Sequence, residues 1–291
     1  AFNDPRIIVD GAPYPGHLSS INQQDIETFS VLKDAASAAL YGARGANGVV
    51  MITTKTGKNG VREIMFDASL GIATLPKKYD LLKPYEYAKA LEEVKGIRDF
   101  TADQLEAYRN GSAGIDWQDE IFRTGYTQNY KLAVSNGNAN TQYYISGNFM
   151  KQSGIIINSD YRRYQAKASI SSQLTDWLHV NADVNASHNI RRGGGLMFDK
   201  GNPLWVALNY SPTMEMRDKS GKYNVDPYNS IARNPIGDLR ENTSEFMSNV
   251  FNGRLELKFN IAKGLTFTTT NGVDYNDSKA YFFTSSLVRA T

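Results

Sequence analysis

The sequence predicts a mainly β protein. A small α+β unit over residues 1–57 precedes about seven antiparallel strands of a large, incomplete transmembrane β-barrel over residues 61–291. Three observations carry this expectation. Beyond residue 61, apolar and polar residues alternate with period two, the mark of strands with two unlike faces. The connections between these strands are short and long in a regular order, as in a meander with two different rims. Aromatic residues are plentiful, 17 Tyr and 13 Phe, yet mean hydropathy is −0.45, because half the residues of such strands are polar.

In the first unit, Arg6 to Val9 reads as a strand entering a tight turn at Asp10-Gly11. Thr28 to Leu32 is a second short strand. Ala35 to Tyr41 is helix-prone, with Asp34 placed to cap its start and Gly42 its end. Val49 to Thr54 is rich in β-formers.

In the second region Ile64, Phe66, Ala68, Leu70 and Ile72 share one parity opposite Glu63, Asp67 and Ser69. The same alternation runs through Tyr130–Val134, Tyr143–Phe149, Tyr164–Leu174, Leu178–Ala186, Arg254–Ile261 and Leu265–Asp274. These make seven strands of roughly the nine to eleven residues that a tilted membrane strand needs. Short turns fall at 136–142, 175–177 and 262–264, and long connections at about 74–125 and 191–247. Counted along a meander, every long connection falls on the same rim. Tyr126, Tyr161, Tyr164, Trp177, Tyr275 and Tyr281 lie where an aromatic girdle is expected. A soluble β-sandwich, such as a carbohydrate-binding module, alternates in the same way and stays open on pattern alone.

The totals exclude several classes. With 32 basic against 30 acidic residues and no basic stripe, nothing points to nucleic acid. The absence of Cys removes disulfide scaffolds and thiolate metal sites. No apolar run is long enough for a helical membrane span, which leaves a barrel span open. The chain opens at Ala1-Phe2-Asn3 without an apolar leader, as expected of a processed chain or a piece of something larger.

No residue qualifies as catalytic, and no cofactor or metal is expected. The run Gly42 to Gly48 follows a helix and precedes a strand, the reverse of a phosphate loop, and lacks its Lys-Ser/Thr pair. His179 and His188, nine residues apart, fall on opposite faces of one strand, and His17 lies far away. Asp218, Ser220, Asn224 and Asp226 offer oxygens to Ca²⁺ but in no EF-hand spacing. Asp116, Asp119 and Glu120 beside Trp117 have nothing to position a scissile bond. Trp205, Tyr210, Tyr223 and Tyr228 in the 191–247 connection are candidate ligand contacts, since flat rings stack on sugars; equally, they fill the loop's own small core.

The segment Val31 to Lys55 resembles the plug signature of the SusC/RagA family of TonB-dependent outer-membrane transporters, through Asp34, Tyr41, Gly42, Arg44, Gly45, Asn47 and Gly48. Ile7 to Pro13 resembles that family's earlier plug strand and turn. Asp116 to Arg123, Ser153 to Ile156 and Tyr161 to Tyr164 resemble its early barrel. The resemblance covers most of the chain and is strongest over 25–57. It implies the C-terminal part of a plug domain (1–57), followed by the first strands of an outer-membrane barrel (61–291). It also implies active import of bulky nutrients, oligosaccharides or peptides, driven through the TonB complex and assisted by a SusD-like surface lipoprotein. The TonB-contacting segment and the remainder of a barrel of about twenty-two strands are then expected outside this chain. A passive porin shares the barrel but needs no plug.

Overall fold

The structure, a computed structural model, describes residues 5–14, 18, 21–33, 47–60, 62–193, 202–229 and 233–288. They form two sheets. The smaller has the order β2-β1-β4-β3, from β1 (Arg6–Val9), β2 (Ala12–Pro13), β3 (Ile26–Leu32) and β4 (Val49–Thr54). β1 and β4 run parallel, with Ile8 opposite Met51; the other pairs are antiparallel. The β1–β2 turn places Asp10 and Gly11 at φ 50° and 81°, conformations that Asp tolerates and Gly adopts freely. The Asp10 carboxylate fixes that turn by accepting the Thr54 backbone N–H at 2.7 Å and its hydroxyl at 2.6 Å. A short 3-10 turn, Gln23–Asp25, leads into β3, capped by Asn22, whose side chain accepts the Gln24 N–H at 3.1 Å. The expected helix Ala35–Tyr41, with Asp34, Gly42, Arg44 and Gly45, lies outside the described residues.

The larger sheet is an unbroken antiparallel meander: β5 (Glu63–Ala73), β6 (Gly125–Gly137), β7 (Thr141–Ser153), β8 (Asp160–Thr175), β9 (Leu178–Arg192), β10 (Thr243–Ala262) and β11 (Leu265–Phe283). All seven expected strands are present, and the wall they form is not closed, with β5 and β11 at its edges. β5 has 11 residues, within the expected nine to eleven, and the other six strands are longer, reaching 20 in β10. They continue past the apolar zone toward the rim that carries the long connections.

Register aligns like residues in transverse rows. Ile64, Val134, Ile145, Ala168, Val184, Gly253 and Val273 pair in succession on one face. This outer face is apolar and open: Ile64 is 73% and Leu70 76% exposed. The opposite face is polar and covered, burying Lys131, Ser146, Asn148, Arg163, Gln165, Lys167 and Ser169. A sandwich buries its apolar row and wets its polar one, so this inverted polarity overturns the sandwich alternative. It suits a wall with lipid outside and a wet or protein-filled interior.

Aromatic rows border the apolar zone. Tyr130, Phe149, Tyr164 and His188 stack side by side toward one rim, and Trp177, Phe259 and Phe267 toward the other. Along β8 the zone runs from Tyr164 to Leu174, roughly ten residues, which at ~3.3 Å each and ~40° tilt spans about 25 Å, the height of a barrel's apolar band. Tyr161, expected in the girdle, instead turns inward, where its hydroxyl donates to Asn189 at 3.0 Å. Its odd position on β8 gives it the parity of Arg163 rather than of Tyr164.

The tight turns between β6 and β7, β8 and β9, and β10 and β11 share one rim. On the other, the β5–β6 connection carries α1 (Pro84–Lys95), α2 (Ala102–Asn110) and α3 (Trp117–Ile121), and the β9–β10 connection carries α4 (Pro203–Asn209) and α5 (Pro235–Glu241). Trp117, Ile121, Val206, Tyr210, Tyr223 and Ile236 pack these two connections into one core. Trp117 anchors it, its indole N–H donating to the Ser211 carbonyl at 2.9 Å.

Two outcomes follow from this architecture. In the complete protein, Leu255→Arg, on the outer face near mid-band, costs about 2–4 kcal/mol of stability in a bilayer, whereas Lys258→Gln on the inner face changes little. Equilibrium unfolding from lipid vesicles measures both, and equal tolerance contradicts the facing assignment. Trp117→Ala costs about 3–5 kcal/mol locally. Hydrogen exchange then quickens in 84–121 and 203–241 while β6–β9 remain protected.

Candidate functional site

The small sheet sits against the polar inner face of the wall, and the residues between them form the most elaborate polar site of the described molecule. Parity alone puts Lys131 of β6, Tyr144 and Ser146 of β7, and Arg163, Gln165 and Lys167 of β8 on that face. The Gln23–Asp25 turn is planted among them. Lys131 Nζ lies 2.9 Å from Asp25 Oδ1 and donates to the Gln24 carbonyl at 2.7 Å. Tyr144 donates its hydroxyl to the same Oδ1 at 2.7 Å, and Ser146 does so at 3.0 Å. The Lys131 and Asp25 side chains are 1% and 2% exposed, so this is an ion pair removed from water.

A second contact lies beside it. Lys167 Nζ donates to the Thr54 hydroxyl and, at 2.9 Å, to the Lys55 carbonyl. Thr54 thus stands between Asp10 and Lys167, linking the β1–β2 turn to the wall. The Tyr144 ring lies near both ammonium groups, 5.9 Å from Lys131 and 5.6 Å from Lys167, close enough for cation–π attraction. Arg163 donates to the Ile21 carbonyl at 3.5 Å. Downstream, a Cβ at Gly57 would come within 2.3 Å of the Tyr143 backbone, so only glycine lets the chain pass there.

These contacts are charged or polar throughout, which decides what they can do chemically. They hold the small sheet in one register, because each wall lysine finds its partner in one position only. Every group involved can also take water as a substitute partner.

Of the residues singled out from the sequence, Asp34, Tyr41, Gly42, Arg44 and Gly45 lie outside the described residues. Asn47 is exposed at the entry to β4, and Gly48 follows at φ 91°, its carbonyl accepting the Arg6 N–H at 3.0 Å. Tyr210 and Tyr223 are buried in the loop core, their hydroxyls donating to the Asn224 carbonyl at 2.5 Å and to Glu241 at 2.9 Å. Trp205 is half-buried, and Tyr228 rests near Phe100 with its hydroxyl donating to Asp99 at 3.2 Å. Asp218 and Asp226 spend their carboxylates on their own loop: Asp218 accepts from Ser220 and Lys222, Asp226 from Ser211 and Tyr228. Those bonds, the Ser220 hydroxyl's first, hold the Asp218 carboxyl below its usual range. Among the described residues no group of three or more His, Asp or Glu is arranged to hold a metal. The sequence reading missed Asp25, Lys131, Tyr144 and Lys167. The available signal was a pair of lysines on the inward parity of the two strands that flank β7.

Comparison with known proteins agrees with this geometry. Residues 2–49 match the TonB-dependent receptor plug domain. The TonB-dependent receptor P3 of Formosa agariphila is 30% identical over 100% of this chain and 28% of its own length. The TonB-dependent receptor SusC of Bacteroides thetaiotaomicron is 30% identical over 94% of this chain and 30% of its own. The solved RagAB peptide importer in its closed-closed state superposes with a TM-score of 0.79 at 24% identity, over 96% of this chain and 35% of that one. The chain therefore spans less than a third of the length of the curated relatives it matches. A plug sheet seated on an unclosed barrel wall, with these matches, makes the chain similar to one segment of the TonB-dependent receptors. Within that class the chain is SusC/RagA-like.

The buried pair gives a measurable consequence. Lys131→Met leaves the Asp25 carboxylate buried without its cation and weakens plug seating by about 3–5 kcal/mol. Adding Asp25→Leu removes the orphaned charge and restores much of that loss. Limited proteolysis of residues 5–60 in the complete protein reads both, and a double variant no better than the single contradicts the pairing.

Proposed function

We propose that the complete protein is an energised importer of the bacterial outer membrane, in which residues 1–57 belong to the plug and residues 61–291 begin the barrel. The observation that carries this reading is the plug sheet held on the inner wall by buried but water-replaceable contacts, Lys131–Asp25 first among them. A pore that never opens needs no detachable filling, and a passive porin needs no filling at all. The apolar outer band supports a lipid setting, and the long connections on one rim support capture of a solute from outside.

The solute is a bulky oligosaccharide or peptide. The TonB complex supplies the energy, as the names of the TonB-dependent relatives support, and a SusD-like lipoprotein covers the long-connection rim; a peptide solute has support in the name of the RagAB peptide importer. Of the four candidate rings, Trp205 and Tyr228 are half-buried, whereas Tyr210 and Tyr223 are buried, which favours the first two as ligand contacts. The transport step changes no covalent bond.

The test is uptake by cells carrying the full-length gene, with and without the proton-motive force. Uptake is lost when the force is collapsed; uptake that persists favours a porin.

A further inference from the structure

The outer face of the wall is not uniform where it nears the rim of the long connections. Register builds three transverse rows there, across β7, β8 and β9. The row nearest the rim sets Lys151 opposite Arg162. The next sets Phe149 opposite Tyr164, and Tyr164 opposite His188. The third sets Gly147 opposite Ala166, and Ala166 opposite Ala186, with Leu132 and Phe251 beside its two ends. All three rows share the parity of Ile145 and Ala168, which face away from the plug.

Two features of these rows are unfavourable unless something outside the chain joins them. Like charges directly opposite on neighbouring strands repel. Arg162 is partly balanced by Asp160, 3.4 Å away, whereas Lys151 is exposed and has no ion-pair partner among the described residues. Gly147, for its part, weakens the strand that holds it. The fold does not require glycine at this position, since a Cβ there would meet no atom within 4 Å. With Ala166 and Ala186 it floors a shallow hollow of about 760 Å³, lined also by Leu132, Phe149 and Phe251. Glycine inside a strand often marks a place where a ligand comes close.

The order of these features identifies the occupant. From the rim toward mid-band come cation, aromatic ring and apolar hollow, about 6.6 Å apart along the strands. A membrane lipid has the same order: phosphate, ester region and hydrocarbon. Rings such as Phe149 and Tyr164 mark the level where the interface lies. A second copy of the chain, joined about a two-fold axis, would set these cations against their own copies. A neutral occupant would leave Lys151 unanswered.

We propose that the outer face of β7–β9 binds one anionic lipid of the leaflet on the long-connection side. Its phosphate is held between Lys151 and Arg162, and an acyl chain lies over Gly147, Ala166 and Ala186. This lipid differs from those that merely surround the wall, because charge selects its head group and the hollow places its chain. The site rests on the reading of the wall as a membrane barrel and is independent of import.

Native mass spectrometry of the complete protein, released from detergent, tests it. The probes are dimyristoyl phosphatidic acid, whose phosphate is bare, and dimyristoyl phosphatidylcholine, which has the same chains and a masked phosphate. The parent binds one phosphatidic acid about tenfold more tightly than phosphatidylcholine, as expected of two cations at an anionic head group. K151S/R162S abolishes that preference, and the charge-conserving K151R/R162K retains it. G147F, whose ring fills the hollow, weakens phosphatidic acid binding although both cations remain. Equal binding of the two lipids by the parent, a preference that survives K151S/R162S, or undiminished binding by G147F overturns the site. So does a dimer that G147F splits, which places a second copy on this face. A complete protein that stays dispersed in buffer without detergent rejects the barrel reading, and the lipid site with it. Where the protein needs detergent, that reading stands and the lipid comparison alone decides the site.

Discussion

Lys131 and Asp25 meet inside the protein because the wall has its polarity reversed. Its outer face is committed to lipid and must be apolar, so the inner face receives what a soluble core would exclude. Whatever fills the interior must then be held by charges and hydrogen bonds rather than by apolar packing. The plug complies. Its own apolar residues, Ile8, Val49, Val50 and Ile52, are kept for internal packing, and it presents to the wall Asp25, Thr54 and backbone carbonyls. A contact of this kind contributes little net stability but discriminates strongly among registers, because a shifted plug strands a lysine or an aspartate away from water. Seating accuracy thus comes from these few side chains.

Much of this architecture was legible in the sequence. Period-two alternation located all seven wall strands and assigned their faces, because a membrane wall imposes the pattern at every position and no tertiary contact overrides it. Ile64, Ile145 and Leu255 face outward as their parity required. Strand ends were less legible: hydrogen bonding continues past the apolar band, where no hydrophobic signal marks it, as β10 and β11 demonstrate. Tyr161 was misplaced because position near a strand end was given more weight than parity.

The helices of the long connections were missed although their local chemistry is conventional. Pro84, Pro203 and Pro235 each occupy a first helical turn, and Asn202, Asn234, Thr101 and Asp116 cap helix starts with side-chain acceptors. Gly96 and Gly111 close two of them in the left-handed conformation. These signals were hidden by the shortness of the segments, which gives a helical period too few turns to stand out. The plug–wall site was hidden for another reason. Asp25, Lys131 and Lys167 are ordinary charged residues until the fold brings distant strands together, and no spacing in a single sequence records that.

The wall is a meander in which every strand bonds only to its sequence neighbours, whereas the plug grips residues far along the chain, Gln24 and Lys131 being 107 positions apart. These two kinds of contact differ in how soon they can form. Hairpins such as β6–β7 and β8–β9 close loops of a few residues, at little entropic cost. The Asp25 turn has no surface to bind until β6 and β7 are paired, and its contacts close a far longer loop. Chronology is therefore written into the topology: the wall's hairpins come first, and the plug is seated as a late act of folding.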